Sequence, residues 1–405
     1  MKLAAARTIT PPPWMTAPQT RAVMAALNDH GAIQTLFVGG CVRNELMKRP
    51  VKDIDLATIH MPDDVIRRLQ AAGIRHIPTG IEHGTVTALT DGHTFEITTL
   101  RRDVSTDGRR ATVAYTDDWL EDARRRDFTM NTLLADDSGH VFDPLGAGID
   151  AIDRGLVVFV GEPDQRIAED YLRILRFFRF HALHGRGDPD AGALRACAAA
   201  ASQIRTLSRE RITQELINIL NVSDPSKTLA LMFGRRILAE LFDHDFDAQR
   251  FSRFCELQAQ ANAVSVMARL ALLTGLNTGA VQDVLVLSSV QKSMLSAIAG
   301  LYGHLDDLSA PALRQAVYDY GNDAVTQVLL LKASTGIVIE SGALTIAQRW
   351  NPPKFPLAGQ DVMDMGLTPG PLVGRYLKDI EIWWRQADFV PDRAACLARL
   401  QALLP

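Results

Sequence analysis

Two aspartates, Asp53 and Asp55, have the residue type and the spacing of a metal site. On a β-strand, residues two apart point to the same face, so both carboxylates would project together while Ile54 points the other way. Two anions this close repel each other unless a cation lies between them. Hard oxygen ligands of this kind suit Mg²⁺, which then carries the phosphates of a substrate. The spacing alone is a weak indication, because a solvated, charged strand would show it as well.

A glycine pair, Gly39-Gly40, precedes these aspartates and could receive phosphate. The apolar residues 36–38 predict a strand that ends at the glycines, where the backbone can approach a ligand closely. Apolar positions within 42–47 predict the buried face of a short helix, which carries Arg43 and which Pro50 ends. We interpret this stretch as a phosphate-binding turn that faces a metal-binding aspartate pair. A plain surface turn is the alternative.

The elements around these residues predict a small mixed sheet flanked by helices. Asp91-Gly92 is a strong signal for a hairpin turn between two strands, and Glu96 lies on the second of them. The elements predicted for this region are an extended, proline-bearing arm at 1–18, a helix at 19–30 that Gly31 ends, a helix from Pro62, and strands at 85–89, 94–100, 141–143 and 156–160.

Residues 101–126 have a different composition, in which arginines alternate with acidic residues around Asp107-Gly108. An Asp-Gly pair is a turn signal. We expect this segment to be a mobile, charged excursion that leads through a short helix into Asp127.

From Pro163 onward the sequence shows almost only the apolar period of helices. One helix is predicted over about 164–184, with an apolar face and a charged face. The charged face carries Glu169, Asp170, Arg173 and Arg176. Considered alone, their spacing of three and four residues predicts a ladder of salt bridges on the surface.

The composition is that of a globular protein with two or more domains. The 405 residues are 47% hydrophobic and 22% charged. The formal net charge of −4 argues against a chain that coats nucleic acid uniformly, although one basic face remains possible. The four cysteines show no metal-ligand spacing, so we expect reduced thiols in a cytoplasmic protein. We expect neither a signal peptide nor a membrane span, since charged residues interrupt the apolar stretches.

The order of these motifs resembles the class II tRNA nucleotidyltransferase and bacterial poly(A) polymerase family. The resemblance covers roughly residues 30–220, and the stretch 366–374 is similar to the tail of many members. The matching stretches are 39–44, 53–55, 83–87, 96–101, 125–131, 143–144, 169–173, 208–211 and 215–216.

This resemblance implies an α+β fold, with a small mixed-sheet nucleotidyltransferase head followed by an all-helical neck, body and tail. The expected domains are an N-terminal arm at 1–18, the nucleotidyltransferase catalytic head at 19–162, a helical neck with the nucleotide-base-binding helix at 163–222, and a helical body and tail, expected to bind tRNA, at 223–405.

The resemblance also implies a reaction in which an RNA 3′ hydroxyl attacks the α-phosphate of a nucleoside triphosphate with the help of two Mg²⁺ ions. Asp53 and Asp55 would hold the metal. Glu96 would be a third catalytic carboxylate, and an outward-facing strand residue is the alternative for it.

The residues that would bind the nucleotide are implied in the same way. Gly39, Gly40 and Arg43 would contact the triphosphate, Asp127 and Asn131 the ribose, and Asp170 and Arg173 the base. For Asp127 and Asn131 a helix-cap pair is the competing interpretation.

The leading hypothesis is an enzyme that adds or repairs the 3′-terminal CCA of tRNA, and a poly(A) polymerase is the alternative. Residues 80–85 read Gly-Ile-Glu-His-Gly-Thr, which is similar to the CCA-adding members and lacks the basic pattern of the poly(A) polymerases. A catalytically inactive tRNA-binding protein would not need Asp53 and Asp55. A phosphohydrolase metal site at His244-Asp245 is disfavoured because it would require further histidines. We expect tRNA, CTP and ATP as partners, Mg²⁺ as cofactor, and neither a membrane nor an obligate protein partner.

Overall fold

The computed structural model describes residues 3–29, 32–107 and 110–404. Two predicted turn residues, Gly31 and Gly108, lie outside the described residues.

Ten strands and twenty α-helices form within the described residues. The strands are β1 (Ala5–Thr8), β2 (Thr35–Val38), β3 (Ile54–Thr58), β4 (Arg75–Gly80), β5 (Thr85–Thr90), β6 (His93–Thr99), β7 (Arg101–Asp107), β8 (Arg110–Tyr115), β9 (Leu134–Ala135) and β10 (His140–Phe142).

The first ten helices are α1 (Pro13–Thr16), α2 (Pro18–Leu27), α3 (Gly40–Leu46), α4 (Pro62–Ala71), α5 (Trp119–Arg124), α6 (Gly148–Arg154), α7 (Pro163–Glu169), α8 (Leu172–His184), α9 (Ala191–Ala199) and α10 (Arg209–Leu220). The other ten are α11 (Ser226–Gly234), α12 (Ala248–Gln260), α13 (Val266–Leu273), α14 (Thr278–Val284), α15 (Ser289–Tyr302), α16 (Ala310–Ser334), α17 (Ser341–Arg349), α18 (Gly359–Asp364), α19 (Pro371–Gln386) and α20 (Arg393–Leu403). Short 3₁₀ segments lie at Ile81–His83, Thr129–Asn131, Ala201–Thr206 and Leu238–Glu240.

Eight strands form one sheet in the order β1-β10-β9-β2-β3-β6-β5-β4. Neighbouring strands are antiparallel except β3 and β6, which run parallel. In the described part of the chain every element after β10 is helical. The predicted α+β fold, a mixed sheet followed by helices, is therefore confirmed.

The register of the sheet places two acidic residues side by side. All four residues of β2 are buried, and Phe37 of this strand pairs with Leu56 of β3. On the other side of β3, Asp55 pairs with Glu96 of β6. Residues paired in register on adjacent strands share a face of the sheet, so these two carboxylates project from the same side.

The hairpin predicted at Asp91-Gly92 forms, and the charged segment contains a strand pair that the sequence pattern did not predict. Asp91 and Gly92, between β5 and β6, both have positive φ angles, 47° and 78°. Positive φ at both central residues is the type I′ geometry of a two-residue hairpin, so this turn is confirmed. β7 and β8 pair antiparallel as a separate two-stranded sheet within the charged segment. Its mobility stays a prediction.

Residues 1–18 were expected to form an extended arm, but only part of them is extended: Ala5–Thr8 join the sheet as β1, whereas Pro13–Thr16 form the helix α1. β1 pairs with β10, with Ala5 opposite Phe142. Arg7 on β1 donates two hydrogen bonds, of 3.0 and 2.5 Å, to the carboxylate of Asp153 on α6. The indole of Trp14 on α1 donates a 3.0 Å hydrogen bond to Glu45 on α3. These partners lie far along the chain, so the local sequence gave no sign of them.

The strand predicted at 156–160 was wrong. Within this stretch only Phe159 forms a β-bridge, to Phe128. The ring of Phe159 lies 4.9 Å from that of Phe128 and 5.8 Å from that of Phe177. The apolar run is buried in an aromatic cluster rather than in a ladder of strands, and an apolar pattern alone does not separate the two.

The single helix predicted over 164–184 was also wrong, because two helices, α7 and α8, occupy this region. The break falls at Asp170, whose φ of −158° and ψ of 106° are those of extended backbone. Its carboxylate accepts a 3.1 Å hydrogen bond from the backbone N–H of Leu172 and a 2.7 Å bond from Arg211. A side chain that binds nearby backbone in this way competes with the helical hydrogen bonds.

The described chain divides into two compact units. The first runs to Ile219 and includes Leu231–Leu241, and the second comprises Leu220–Ala230 and the chain from Phe242 onward. The four cysteines are free and buried. Among the described helices, none combines the length and the apolar character needed to cross a bilayer.

Candidate active site

The glycine pair lies where β2 passes into α3. Gly39 has a φ of 69°, a conformation that side-chain-bearing residues rarely adopt, and its N–H donates to the carbonyl of Leu133 at 3.2 Å. A Cβ on Gly39 would lie 3.6 Å from Nη1 of Arg126. The turn therefore places backbone close to an arginine side chain, and α3 begins immediately after it at Gly40.

The aspartate pair lies at the start of β3. Asp53 precedes the strand by one residue and is exposed, whereas Asp55 is its second residue and is partly buried. Glu96 on β6 is exposed. Within the described residues, none of these three carboxylates forms a salt bridge or accepts a side-chain hydrogen bond.

Burial and, to a smaller degree, the neighbouring charges of Glu96 and Asp53 together raise the pKa of Asp55 to about 6. Like charges that disfavour ionisation of one another are the electrostatic condition that a cation relieves.

The donor set fits a metal that is shared with a substrate. In the described ranges no group of three or more His, Cys, Asp or Glu side chains is arranged to hold a metal by itself, at His244-Asp245 or elsewhere. Mg²⁺ is usually bound by one or two carboxylates together with substrate phosphates rather than by an all-protein cage. Asp53 and Asp55 are therefore suitable ligands for a metal that binds together with a nucleotide.

A chain of hydrogen bonds links α3 to α8. Arg43 donates from Nη1 to the amide oxygen of Asn131 at 2.6 Å, and Nδ2 of Asn131 donates to Asp127 at 2.9 Å. Asp127 also accepts from Nε of Arg176 at 3.0 Å. The 3₁₀ segment Thr129–Asn131 has no side-chain cap, so the helix-cap interpretation of Asp127 and Asn131 is not supported.

Burial lowers the pKa of Arg43 to about 10, so this guanidinium remains charged at neutral pH. Burial raises the pKa of Asp127, but the charge of Arg176 and hydrogen bonds outweigh that effect, and the net pKa is lowered. Asp127 is thus a fixed anion whose second oxygen is held by Asn131.

The break between α7 and α8 carries the remaining predicted residues. Asp170 pairs with Arg211 of α10, with Oδ2 and Nη2 2.7 Å apart. Arg173 pairs with Glu169 and donates from Nη1 to the backbone carbonyl of Arg166 at 2.6 Å. Of the two pairs expected in the surface ladder, Glu169 with Arg173 forms but is partly buried, whereas the side chain of Asp170 binds Arg211 instead of Arg173.

Residues from the glycine turn, from β3, from the Arg43–Asn131–Asp127 chain and from the α7–α8 break line one cavity of about 470 Å³ within the first unit. Six arginines and three aspartates line it, together with Gly39, Gly40, Asn131, Leu172 and Phe180. The arginines are Arg43, Arg125, Arg126, Arg173, Arg176 and Arg211, and the aspartates are Asp55, Asp127 and Asp170. An excess of three positive charges suits a polyanion such as a triphosphate.

Most of the predicted site residues meet in this cavity. Gly39, Gly40, Arg43, Asp55, Asp127, Asn131, Asp170 and Arg173 line it, whereas Asp53 and Glu96 do not and lie nearby in exposed positions. Asp53 and Glu96 are nevertheless close enough to raise the pKa of Asp55.

Sequence reasoning missed five arginine or aromatic lining residues. Arg176 follows Arg173 by three residues and Phe180 follows Arg176 by four, so all three share one helix face. The surface-ladder interpretation assigned this face to solvent and therefore missed it. Arg211 lies in the matching stretch 208–211 without an assigned role in nucleotide binding, and its pairing across 41 residues with Asp170 has no local signal. Arg125 and Arg126 were part of a matching stretch, but no role was assigned to them.

Comparison with known proteins gives matches in two parts of the chain. Residues 35–158 match the family described as poly A polymerase head domain. Residues 190–248 match the family described as probable RNA and SrmB-binding site of polymerase A.

Longer matches extend over most of the chain. It is 31% identical to the mitochondrial CCA tRNA nucleotidyltransferase 1 of Mus musculus over 377 residues, which cover 90% of this chain and 86% of that protein. It is also 31% identical to a CCA-adding enzyme of Streptococcus gordonii, with 86% of this chain and 88% of that protein covered. The crystal structure of the Bacillus stearothermophilus CCA-adding enzyme in complex with CTP matches with a TM-score of 0.79 at 25% identity and covers 95% of this chain and 96% of that one.

The fold, the cavity and these relatives together define a nucleotidyltransferase. The chain belongs to the family of class II tRNA nucleotidyltransferases and bacterial poly(A) polymerases, in its CCA-adding branch. Membership of this family implies a divalent metal ion as cofactor.

Proposed function

We propose that this protein adds or repairs the 3′-terminal CCA of tRNA from CTP and ATP without a nucleic-acid template. The observation that carries the proposal is the wall of one cavity, which is formed by six arginines together with the Gly39-Gly40 turn and Asp55. Such a wall can bind a triphosphate beside a metal-binding carboxylate. The names of the relatives, among them an enzyme complexed with CTP, support CTP and tRNA as substrates.

Asp53 and Asp55 hold Mg²⁺ in this proposal. When bound, the metal lowers the cost of deprotonating the RNA 3′ hydroxyl and offsets charge on the leaving pyrophosphate. Glu96, in register with Asp55, supplies a third carboxylate at the same face of the sheet.

The triphosphate binds at the turn between β2 and α3. Gly40 offers a backbone N–H group close to the cavity, whereas the N–H of Gly39 is donated to Leu133 and the lack of a side chain at Gly39 leaves room for the ligand. Arg43 offers a guanidinium that stays charged although it is partly buried. Arg126, beside Gly39, adds a second positive charge. These groups orient the α-phosphate for attack from the opposite side.

The ribose binds at Asp127 and Asn131. The carboxylate of Asp127 is ionised and already accepts four hydrogen bonds, so a ribose hydroxyl binds it by replacing one of them. Asn131 lies between Asp127 and Arg43, so the ribose and triphosphate positions are linked through one amide side chain.

The base binds at Asp170 and Arg173. Cytosine and adenine both present an amino donor and a ring acceptor, which complement a carboxylate and a guanidinium. Uracil and guanine present the reversed pattern and would leave buried polar groups unpaired. Asp170 already accepts from Arg211, but an ionised carboxylate has further lone pairs for the amino group of a base.

The test is to incubate the pure protein with a tRNA that lacks its CCA end and with all four nucleotides, and then to sequence the 3′ ends. Addition of CCA and its arrest after the final A is the expected result. A tail of A residues only would instead support the poly(A) polymerase alternative.

We also propose that the protein acts in the cytoplasm, because its four buried cysteines are free thiols. Fractionation of cells with an antibody to this chain tests the assignment, and recovery in an organelle would contradict it.

A further inference from the structure

The side chain of Arg166 does not line the cavity, but it binds residues beside the cavity at the ends of two helices, α5 and α7. It is the fourth residue of α7 and is 9% exposed. Its Nη2 donates to the backbone carbonyls of Arg125 and Arg126, at 2.5 and 2.9 Å. Its Nη1 donates to the carboxylate of Glu169 at 2.8 Å. One guanidinium therefore joins the end of α5 to the end of α7.

The contacts on the α7 side fix the position of Arg173. The guanidinium of Arg173 donates to the backbone carbonyl of Arg166 and to the carboxylate of Glu169. Glu169 is itself held by Arg166. Arg173 is thus oriented by the backbone carbonyl of Arg166 and by Glu169, a carboxylate that the side chain of Arg166 binds.

The contacts on the α5 side lead to the base of the β7–β8 hairpin. The side chain of Asp122 is 4% exposed and accepts from Arg125 at 2.8 Å and from Arg126 at 2.8 and 3.1 Å. The same carboxylate accepts from the backbone N–H of Arg101, the first residue of β7, at 3.3 Å. Arg125 also donates to the carbonyl of Arg101 at 3.1 Å.

These bonds form a continuous path from the hairpin base to Arg173. Its order is Arg101, Asp122, the Arg125-Arg126 pair, Arg166, Glu169 and Arg173. We propose that Arg166 is a positioning residue for nucleotide selection, which couples the end of α5 and the hairpin base to the guanidinium that reads the base. The inference rests on the proposed base-reading role of Arg173.

The geometry explains why an arginine is required at this position. The two carbonyls and the carboxylate lie in different directions, and a planar fork with several N–H donors bonds all three at once. A lysine keeps the charge but concentrates its donors at one point, so it would satisfy Glu169 or the carbonyls. With only one of these contacts left, Glu169 and the end of α5 are no longer held in one arrangement, so the carboxylate that orients Arg173 can shift relative to the cavity.

The experiment compares Arg166→Lys with wild type on a tRNA that lacks CCA and on one that ends in CC. The measured quantity is the ratio of kcat/KM for CTP over UTP, and for ATP over GTP. We expect each ratio to fall about tenfold, the cost of one weakened charged hydrogen bond at a reading group. A purely structural role would lower activity with all four nucleotides in proportion and leave both ratios unchanged, which would overturn the proposal.

A second variant keeps the test decisive if Arg166→Lys does not fold. Glu169→Gln retains an acceptor for Arg173 and Arg166 but removes the charge, and it should lower the same ratios to a smaller degree. Unchanged ratios in this variant would also overturn the coupling. Arg314→Lys is the matched control, because Arg314 forms a comparable two-bond fork with Asp388 in the second unit. This control should leave both ratios unchanged.

The path itself is tested by combining Arg166→Lys with Asp122→Asn. If the two residues act through one path, the fall in the ratio for the double variant will be smaller than the product of the two separate falls. Falls that multiply would contradict the path. If wild type adds only A, the proposed CCA function fails, while the ATP over GTP ratio still tests the coupling.

Discussion

The strand side of the cavity and its helical side treat carboxylates in opposite ways. On the strand side, Asp53, Asp55 and Glu96 form no salt bridge within the described residues, and burial and the acidic neighbours raise the pKa of Asp55 to about 6 although Arg126 and Arg43 act against this. On the helical side, Asp127 and Asp170 are each paired with an arginine. The carboxylates of the strand side repel one another, whereas those of the helical side are neutralised by arginines of the same protein.

This difference separates two functions that a single cavity must combine. Unpaired carboxylates bind a cation strongly because the cation removes their mutual repulsion. Paired carboxylates have little need of a metal, but their oxygens are held in fixed directions, which suits recognition of hydroxyl and amino groups. The contrast predicts that substitutions on the strand side affect catalysis, whereas those on the helical side affect selection.

The largest effect is expected for Asp55→Asn. This change keeps the shape of the side chain but removes a negative metal ligand, so addition should fall by about a thousandfold or more, which corresponds to several kcal/mol of transition-state stabilisation. The rate of CTP incorporation and the Kd for tRNA are the measurements. Binding of tRNA should remain nearly unchanged.

Asp91→Asn is the matched control for this prediction. Asp91 lies in the exposed turn between β5 and β6 of the same sheet, and Asn tolerates its positive φ. Near-normal turnover by Asp55→Asn with Mg²⁺ present would remove the basis for distinguishing the two sides.

The pH dependence of stability should show the raised pKa of the Asp55 carboxyl directly. Because the pKa of Asp55 is raised in the folded state, the unfolded chain ionises first as pH rises from about 4, and the folded state loses stability until pH passes about 6. The loss is at most about 3 kcal/mol. Urea unfolding in EDTA, from pH 4 to 8, measures it for wild type and Asp55→Asn.

Subtracting the profile of Asp55→Asn from that of wild type isolates the contribution of this carboxyl. We expect the difference in unfolding free energy, wild type minus Asp55→Asn, to fall between pH 4 and 6. Above pH 6, replacing EDTA with Mg²⁺ should restore part of it. A flat difference would mean that the pKa of Asp55 is not raised in the folded state.

A smaller effect is expected on the helical side, where Asp170→Ala and Arg173→Ala should alter nucleotide choice. Each variant loses a hydrogen bond to a charged group, worth about 1.5–3 kcal/mol, so discrimination against UTP and GTP should fall by one to two decades. The values of kcat/KM for the four nucleotides on a CCA-less tRNA measure this. Ratios that match wild type would leave both residues with a structural role only.

The contrast also shows how far the sequence alone leads. The strand side is local: Gly39-Gly40, Asp53 and Asp55 lie within a short stretch whose strand, turn and helix follow from residue patterns, and the structure brings Gly39, Gly40 and Asp55 together. Its register beside Glu96 was not visible in the sequence and comes from the parallel pairing of β3 with β6.

The helical side depends on contacts between distant residues. Asp170 was predicted inside a continuous helix, because the apolar period runs through it. Its carboxylate binds Arg211, 41 residues away, and this pairing accompanies the break that the period conceals. Arg176 was predicted on a solvated face for the same reason, and its partner Asp127 lies 49 residues earlier. Periodicity reports which face is buried, but it does not report which charges meet.

The smallest effect is expected for the exposed ion pair between Arg7 and Asp153, which tests whether pairing matters by itself or only in the cavity. Its geometry is as good as that of the cavity pairs, with two hydrogen bonds, but 35% and 51% of the two side chains are exposed. Solvent screens such a pair, so Asp153→Asn should cost at most about 1 kcal/mol of unfolding free energy, and less at high salt. The kcat/KM ratios for the four nucleotides should not change. Urea unfolding at low and high salt, with the same nucleotide assays, provides the measurement. A loss of unfolding free energy that exceeds 1 kcal/mol and persists at high salt would show that the exposed pair between β1 and α6 stabilises the protein as strongly as a buried pair. Burial would then no longer distinguish the ion pairs on the helical side of the cavity from those on the surface.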